Sequence, residues 1–180
     1  MSRSVLLLRA VNVSGRNRVP MAELREALTA AGLVEEVSTY IASGNIICAH
    51  PDDPVAACDR VRRLIDAEFG VDTPVILRTH DALVSTLAAH PFVDPVEKML
   101  HAMFLEGPPA GGAIDALQGR LLPGEEIALV GEDLWINYGE GGVHSTKLTK
   151  AVLDRALGVA GTARNLRTVR ALAELTAQGS

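Results

Sequence analysis

An α+β fold is predicted by the order in which apolar and amphipathic segments alternate along the chain. Residues 4–78 follow the order strand, helix, strand, strand, helix, strand, and much of that order recurs over residues 100–164. Apolar residues make up 48% of the chain and aromatic residues only 3%, so each core must be built from aliphatic side chains. Because this order is typical of a ferredoxin-like sandwich, we expect two tandem ferredoxin-like α/β sandwich units with antiparallel sheets, plus a C-terminal helix. The expected units are residues 1–90, with a connecting helix, and residues 91–180, with the C-terminal helix.

The elements of the first unit follow from apolar runs and from residues that start or stop helices. Residues 4–8 form a compact apolar run with the length of a buried strand. Pro20 and Gly32 suit the first position and the end of the first helix. Gly44 followed by Asn45 is typical of a two-residue hairpin turn. The remaining elements are strands over residues 34–41 and 46–48, a second helix that Asp53 caps and that ends near Gly70, a strand over residues 71–78, and a connecting helix from Thr79 that ends before Pro91.

The second unit repeats this pattern with more glycine. Residues 100–105 predict a buried strand, and Gly131 joins the two strands of a hairpin over residues 127–138. A glycine-rich stretch then leads into a helix that we expect to begin at about Ser145. A short helix over residues 114–117, a last strand over residues 161–164 and the C-terminal helix over residues 166–176 complete the unit.

Composition argues against several classes of function. The formal net charge is −5, and nonspecific binding of double-stranded nucleic acid depends on cationic contacts to phosphates, so such binding is not expected. The apolar run near the N-terminus is too short for a secretion signal or a membrane span, so we expect a cytoplasmic protein without membrane contact. Two cysteines, and five histidines without metal-ligand spacing, predict no metal, no cofactor and no disulfide.

The basic residues are concentrated in two segments. Residues 1–20 contain four arginines and no acid, and residues 144–170 contain six basic residues against one acid. Residues 115–140 are instead strongly acidic. Local basic segments within an acidic chain suit a small anionic ligand better than a long polyanion. The first segment includes Arg9, Arg16 and Arg18, and the second includes Lys147 and Arg164.

The expected topology gathers the polar residues of these loops into two clusters. In a ferredoxin-like unit, the loop after the first strand and the turn between the second and third strands share one end of the sheet. In the second unit, the ends of the third and fourth strands also coincide. The candidate ligand-binding residues are therefore Arg9, Asn12, Ser43 and Asn45 in the first unit, and Ser145, Lys147, Arg164 and Asn165 in the second.

Most of these candidates also have a structural explanation that the sequence leaves open. Ser43 and Asn45 are residues that a tight hairpin favours in any case. Arg9 could bind a carboxylate or phosphate, or pair with a helix end. Ser145 and Asn165 have the side chains of plain helix N-caps. Since no general base can be named near Ser43, the residues identify no catalytic group.

Several short motifs are similar to those of one protein family. They are Leu8-Arg9-Ala10-Val11-Asn12-Val13, Val19-Pro20-Met21-Ala22-Glu23-Leu24-Arg25, Thr39-Tyr40-Ile41-Ala42-Ser43-Gly44-Asn45, Pro91-Phe92, and Thr162-Ala163-Arg164-Asn165 through Thr168-Val169. On these motifs essentially the whole chain resembles the bacterial domain-of-unknown-function family 1697 (DUF 1697). The resemblance implies tandem ferredoxin-like units and no assigned activity. The chain departs from the family pattern at Ala10 and Ser14, where glycine is usual, at Ala42, where glutamine is usual, and at Leu166, where tryptophan is usual.

The predicted function is binding of a small anionic ligand, carrying a phosphate or a carboxylate, at a polar site built from loop residues of both units. We expect the two basic clusters to form one composite anion site, because ligand pockets favour interfaces between domains. The alternative is a protein- or single-stranded nucleic-acid-interaction module without catalysis, although Tyr40, Trp135 and Tyr138 are few aromatic residues for base stacking. The residues leave open whether a reaction is catalysed and whether the chain forms a homodimer.

Overall fold

The computed structural model describes residues 2–177 and shows an α+β protein with two four-stranded antiparallel sheets and six helices in that range. Residues 1 and 178–180, at the outer ends of the two expected units, lie outside the described residues. The elements are, in chain order, β1 (Arg3–Leu8), α1 (Met21–Ala31), β2 (Ser38–Tyr40), β3 (Asn45–Ala49), α2 (Pro54–Phe69), β4 (Val75–Thr79), α3 (His80–Ala89), β5 (Leu100–Leu105), α4 (Ala113–Gln118), β6 (Glu126–Val130), β7 (Asp133–Asn137), α5 (Lys150–Leu157), β8 (Gly161–Asn165) and α6 (Leu166–Ala177).

The chain divides into two compact units. The first contains the residues up to Val84 together with those from Leu172 onward, and the second is Ser85–Ala171. The division therefore falls within α3 and within α6, whereas the sequence suggested a boundary between residues 90 and 91. Neither helix contains a proline or glycine that would mark a boundary, so the sequence carries no local signal for this division.

The sheet of the first unit has the strand order β2-β3-β1-β4, and every neighbouring pair is antiparallel. Strand β1 is central, with Leu7 opposite Asn45 on one side and Ile76 on the other. Leu6 and Leu8 are fully buried in a core that α1 and α2 cover. Burial of each such side chain contributes about 1.5–3 kcal/mol, so this core holds β1 in place.

Helices α1 and α2 begin and end at residues that the sequence identifies. Asp53 accepts a hydrogen bond from Ala56 N–H at 3.0 Å and is therefore the N-cap of α2, with Pro54 in its first turn. Gly32 and Gly70 follow the two helices with left-handed φ angles of 60° and 66°. The predicted start and end of α2 and the predicted end of α1 are confirmed, whereas α1 begins at Met21, with Pro20 as its extended N-cap and not as its first helical residue.

The sheet of the second unit has the strand order β6-β7-β5-β8 and is also antiparallel throughout. Strand β5 coincides with the predicted strand over residues 100–105. Leu134 and Ile136 of β7 are fully buried in a core with Leu117 of α4 and Leu157 of α5. This second core is mainly aliphatic and also contains the buried ring of Tyr138.

The first hairpin differs from the predicted two-residue turn. Tyr40 pairs directly with Asn45, which leaves a loop of four residues between β2 and β3. Asn45 is the first residue of β3 and is completely buried. Gly44 and Asn45 therefore lie at the end of the loop and not at its centre. The buried Asn45 side-chain amide finds its hydrogen-bond partners, Tyr40 O and Ser43 Oγ, within the hairpin.

The start of α5 also differs from the prediction. The helix begins at Lys150 rather than near Ser145, and Thr149 is its N-cap, accepting a hydrogen bond from Val152 N–H at 3.3 Å. Residues 145–149 contain three hydroxyl side chains that could each serve as a cap. Leu148 is buried in the core just before the helix, and this contact determines which of the three becomes the cap.

None of the helices in residues 2–177 is long and apolar enough to cross a membrane. Cys48 lies buried in β3, and burial raises the pKa of its thiol to about 11. Since the thiolate is the reactive form of cysteine, Cys48 is a core residue that stays protonated near neutral pH.

Candidate functional site

The loop that follows β1 has the most strained backbone of the first unit. We call residues 9–18 the arginine loop. Four of its non-glycine residues have φ angles between 50° and 55°, namely Ala10, Asn12, Ser14 and Asn17. A residue held in this left-handed region costs of order 1–3 kcal/mol and persists only where surrounding contacts impose it. The loop therefore needs a dense set of hydrogen bonds.

Asn12 supplies most of those hydrogen bonds. Its Nδ2 donates to Val19 O at 2.9 Å and to Ala42 O at 2.7 Å, and its Oδ1 accepts from Val19 N–H at 2.9 Å. Its backbone N–H donates to Asn17 O at 2.9 Å, and Asn17 Nδ2 donates to Ala10 O at 3.0 Å. Because the Asn12 amide uses both its oxygen and its nitrogen on the backbone, its role in this structure is to hold the loop.

Replacement of Asn12 with alanine is expected to lower the free energy of unfolding by about 2 kcal/mol. The variant loses three hydrogen bonds, each contributing about 0.5–1.5 kcal/mol, and water replaces part of that loss at the exposed side of the loop. Urea unfolding followed by circular dichroism measures the change. Asn17→Ala removes one such bond and should lose about half as much. Equal stabilities of Asn12→Ala and the unmodified protein would contradict this role.

The arginine loop and the first hairpin lie at the same end of the sheet. Leu8 N–H donates to Gly44 O at 2.9 Å, and the bond from Asn12 to Ala42 also joins the two segments. Asn45 donates through Nδ2 to Tyr40 O at 2.9 Å and to Ser43 Oγ at 3.2 Å. Asn45 thus closes the hairpin from inside, whereas Ser43 is half-buried.

The arginines of this loop differ in their surroundings. The Arg9 backbone is tied to buried Thr73, whose hydroxyl accepts from Arg9 N–H at 3.0 Å and donates to Arg9 O at 2.7 Å. Arg16 and Arg18 are exposed, and no acidic side chain within residues 2–177 forms an ion pair with either. Arg16 N–H donates to Val13 O at 2.9 Å and closes the tip of the loop. These two guanidinium groups are the cations that the loop presents to solvent.

In the second unit, Arg164 and Asn165 hydrogen-bond to protein groups. Arg164 is buried, and its Nη1 donates to Thr162 Oγ1 at 2.8 Å and to Ala163 O at 2.9 Å. Burial lowers the pKa of Arg164 to about 10. Asn165 Oδ1 accepts from Thr168 N–H at 2.9 Å, so Asn165 caps the start of α6. Both side chains, buried in Arg164 and partly buried in Asn165, are thus bonded to groups of their own unit and have structural roles.

Ser145 and Lys147 lie in the exposed loop before α5. Since the helix begins at Lys150, neither residue is at its N-terminus, and the helix dipole does not favour an anion at their positions. The structure therefore brings together the candidates of the first unit, while those of the second unit lie partly in a buried strand end and partly in an open loop.

Arg78 is a buried arginine that the sequence reasoning did not single out. It is the fourth residue of β4, as Arg164 is of β8, and in both cases Nη1 donates to the preceding carbonyl at 2.9 Å. Each arginine is followed by a helix cap, since Thr79 Oγ1 accepts from Ala82 N–H at 3.1 Å. The signal in the sequence is the repeated order of strand, arginine, capping residue and helix. This repeat points to a shared structural role for the two arginines.

These features define a two-unit α+β protein with a hydrogen-bonded, arginine-bearing loop at one end of its first sheet. The chain belongs to the family described as "Protein of unknown function (DUF1697)", which matches residues 1–135, and this confirms the resemblance read from the motifs. No curated protein matches the chain. The structure is similar to that of conserved bacterial protein SP0830 from Streptococcus pneumoniae, with a TM-score of 0.78 and 24% identity over 97% of this chain and 98% of that chain. At this identity the likeness shows a shared fold alone.

The backbone of the arginine loop explains why glycine would suit two positions at which this chain has other residues. Ala10 and Ser14 stand where the family usually has glycine, and their φ angles are 51° and 50°. Glycine adopts positive φ without steric cost, so glycine would fit the observed conformation at these two positions better than alanine or serine does. The loop keeps its shape in this chain because the bonds from Asn12 and Asn17 impose it.

Proposed function

We propose that the chain binds a small anionic ligand that carries a phosphate or a carboxylate, and that the arginine loop makes the primary contact. The observation that supports this best is the presence of exposed Arg16 and Arg18 on a strained, hydrogen-bonded backbone. Strained backbone is concentrated at binding and catalytic sites in proteins. The planar fork of a guanidinium group matches a phosphate or carboxylate with two parallel hydrogen bonds.

The rigidity of the loop strengthens this proposal. Binding to a flexible segment costs the entropy of ordering it, about 0.5–1.5 kcal/mol for each immobilised side chain and more for mobile backbone. Asn12 and Asn17 already order this backbone in the free protein. An anion therefore meets arginines whose main chain needs no further ordering.

The other candidate residues have secondary parts in the proposal. Arg9, the first residue of the loop, adds positive charge, and Ser43 in the adjoining hairpin adds a hydroxyl group at the same end of the first sheet. Lys147 and Ser145 add an exposed cation and hydroxyl in the second unit. Asn12, Asn45, Arg164 and Asn165 support the backbone around these groups through the hydrogen bonds described above.

The proposal includes a finer assignment of fold and location. We assign each unit to the ferredoxin-like class and regard the two as a tandem repeat, which the matching strand orders β2-β3-β1-β4 and β6-β7-β5-β8 support. Action in the cytoplasm is in keeping with the free thiols of Cys48 and Cys58, since cytosolic proteins seldom carry disulfides.

The alternative of a single-stranded nucleic-acid module has less support. Such modules stack bases on exposed aromatic side chains, yet Trp135 is completely buried and Tyr138 is 7% exposed. Of these three aromatic residues, Tyr40 is half-buried and is the one left to provide a stacking surface. We therefore favour the small anion.

A thermal-shift panel tests the proposed function. Inorganic phosphate, pyrophosphate and citrate are added to the unmodified protein and to the double variant Arg16→Gln/Arg18→Gln. A ligand at one hundred times its dissociation constant stabilises the folded state by about 2.7 kcal/mol, which such a screen detects. We expect at least one of the three anions to stabilise the unmodified protein, and the double variant to lose about tenfold or more in affinity for it.

The matched control is Arg63→Gln, which removes an exposed arginine from α2 that donates to Asp59 O in its own helix. Arg63→Gln removes one positive charge, as each arginine substitution in the loop does, but it leaves the loop intact. Equal losses in Arg63→Gln and in the single variants Arg16→Gln and Arg18→Gln, measured in the same panel, would mean that binding follows overall charge. That result, or no stabilisation by any of the three anions, would overturn the proposal.

A further inference from the structure

We infer that the first unit has a second ligand site, at the end of the sheet opposite the arginine loop, for a small phosphate ester that also carries a hydroxyl group. The site is an open cleft of about 560 Å³ lined by Arg3, His50, Thr79, His80 and Asp81 among others. We call it the histidine cleft. Its volume is within the range of pockets that hold small metabolites.

The sheet topology gathers these residues. Strand β1 begins at Arg3, which pairs with Ala49 at the end of β3, and the next residue, Ser4, pairs with Thr79 at the end of β4. His50 and His80 directly follow those two strand ends. The start of one strand and the ends of its two neighbours therefore place an arginine and two histidines at one edge.

The ring of His80 is held with one nitrogen available. Its Nδ1 lies 3.1 Å from Ala173 O and 3.1 Å from Thr176 Oγ1. A carbonyl oxygen only accepts hydrogen bonds, so Nδ1 carries the proton and donates. No described residue hydrogen-bonds to Nε2 of His80, and this nitrogen is left for a ligand in the cleft.

His50 is held in a similar way by a buried hydroxyl. Its Nδ1 lies 2.7 Å from Oγ of Ser4, which is completely buried, and its backbone N–H donates to Ser2 O at 2.9 Å. An unsatisfied buried hydroxyl is costly, so the Ser4 side chain keeps this imidazole in one orientation. Among residues 2–177, Nε2 of His50 also has no hydrogen-bond partner.

The second unit shows that the fold itself does not need histidines at these positions. The residue after β7, which corresponds to His50, is Tyr138, and the residue after β8, which corresponds to His80, is Leu166. Tyr138 is 7% exposed and Leu166 is 1% exposed, so both serve as core residues. Two oriented imidazoles in place of core residues are a departure that ligand recognition explains.

The chemistry of the cleft selects the ligand class. Arg3, whose Nη2 donates to Glu36 O at 3.0 Å, brings a guanidinium group to the lining of the cleft. With its proton on Nδ1, neutral His80 presents Nε2 as an acceptor for a ligand hydroxyl, and as an imidazolium it donates from Nε2 to a phosphate oxygen. His50 donates from Nε2 to a phosphate oxygen in the tautomer whose Nδ1 accepts from Ser4 Oγ. Thr79 adds a hydroxyl, and the Asp81 carboxylate accepts a hydrogen bond from a hydroxyl group but repels a second anion. A phosphate ester of a small polyol, with one anionic group and free hydroxyls, satisfies both requirements.

Calorimetric titration with glucose 6-phosphate and with inorganic phosphate tests the inference. The variants are His50→Asn and His80→Asn, because an asparagine amide keeps a polar group near the position of Nδ1 while removing Nε2. We expect glucose 6-phosphate to bind the unmodified protein more tightly than inorganic phosphate does. Each variant should lose about tenfold or more in that affinity while retaining the native circular dichroism spectrum.

Two controls separate this site from the arginine loop. His144→Asn changes an exposed histidine in the second unit and should bind glucose 6-phosphate as the unmodified protein does. Arg16→Gln/Arg18→Gln changes the loop, which is itself proposed to bind phosphates, so this variant should lose only a binding event at the loop and keep the one that His50→Asn and His80→Asn remove. Loss of binding in the double arginine variant alone would overturn the histidine cleft while supporting the loop. Unchanged affinity in both His50→Asn and His80→Asn, or no binding of glucose 6-phosphate by the unmodified protein at millimolar concentration, would also overturn it.

Discussion

Replacement of Gly44 with alanine is expected to destabilise the protein by about 3 kcal/mol and to detach the first hairpin from the arginine loop. Gly44 has a φ angle of 87°, and a Cβ atom there would lie 2.8 Å from Leu8 Cβ and 2.8 Å from Val11 Cγ2. Strain at this φ contributes of order 1 kcal/mol, and the overlap with buried side chains adds about 1–3 kcal/mol. Both contacted residues are core residues, so neither can move away easily.

The matched control for this variant is Gly15→Ala. Gly15 has a φ angle of 75°, but a Cβ atom there meets nothing within 4 Å. The difference in free energy of unfolding between the two variants therefore isolates the overlap from the backbone strain. Equal destabilisation of the two, measured by urea unfolding, would show that the contact of Gly44 with β1 is unimportant.

Replacement of Trp135 with alanine is expected to destabilise the second unit by about 3–5 kcal/mol. Trp135 lies in β7, is completely buried, and packs with its ring centroid 4.8 Å from that of His90. Its Nε1 donates to the buried Thr86 hydroxyl at 2.9 Å. The alanine variant loses a large apolar surface and leaves that hydroxyl without its donor.

Trp135→Phe separates these two contributions. The phenylalanine keeps most of the buried ring but lacks the indole N–H, so we expect a loss of about 1–2 kcal/mol. Since Trp135 is the single tryptophan of the chain, circular dichroism rather than tryptophan fluorescence must follow unfolding. A loss in Trp135→Ala below about 2 kcal/mol would mean that the site collapses around the smaller residue.

Local signals were sufficient to predict much of the fold. The bounds of α2 follow from Asp53, Pro54 and Gly70, because capping and helix termination depend on a few adjacent residues. The start of α5 could not be predicted in this way, since three hydroxyl residues compete and the packing of Leu148 decides between them. Where several residues suit a role equally, tertiary contacts select one.

The sequence predicted which segments meet at the candidate site, but it did not predict the backbone conformation of their residues. Antiparallel pairing around β1 brings the arginine loop to the first hairpin, so the topology alone indicates that these segments meet. The strain at Ala10 and Ser14 has no sequence signal of its own, because neither residue favours positive φ. The same topological rule, applied to the opposite sheet end, would have brought His50 and His80 together before the structure was known.

The burial of Arg164 shows where sequence reasoning is weakest. An arginine at a strand end next to a basic segment predicts an exposed cation, yet Arg164 is 7% exposed and bonds to Thr162 and Ala163. Burial at such a position depends on what covers the strand from outside, which local sequence does not encode. Exposure therefore distinguishes Arg16 and Arg18 from the other arginines, which the sequence made equally plausible as anion-binding residues.

A residue-resolved titration tests the central claim most directly. Pyrophosphate is added to ¹⁵N-labelled protein, and the backbone amide and arginine Nε–H chemical shifts are followed by NMR. If the arginine loop binds a small anion, the largest and saturable shifts will come from residues 9–18, above all from Nε–H of Arg16 and Arg18, with smaller shifts in the adjoining hairpin. Absence of saturable shifts in residues 9–18, or shifts that centre on another part of the chain, would contradict the proposed function.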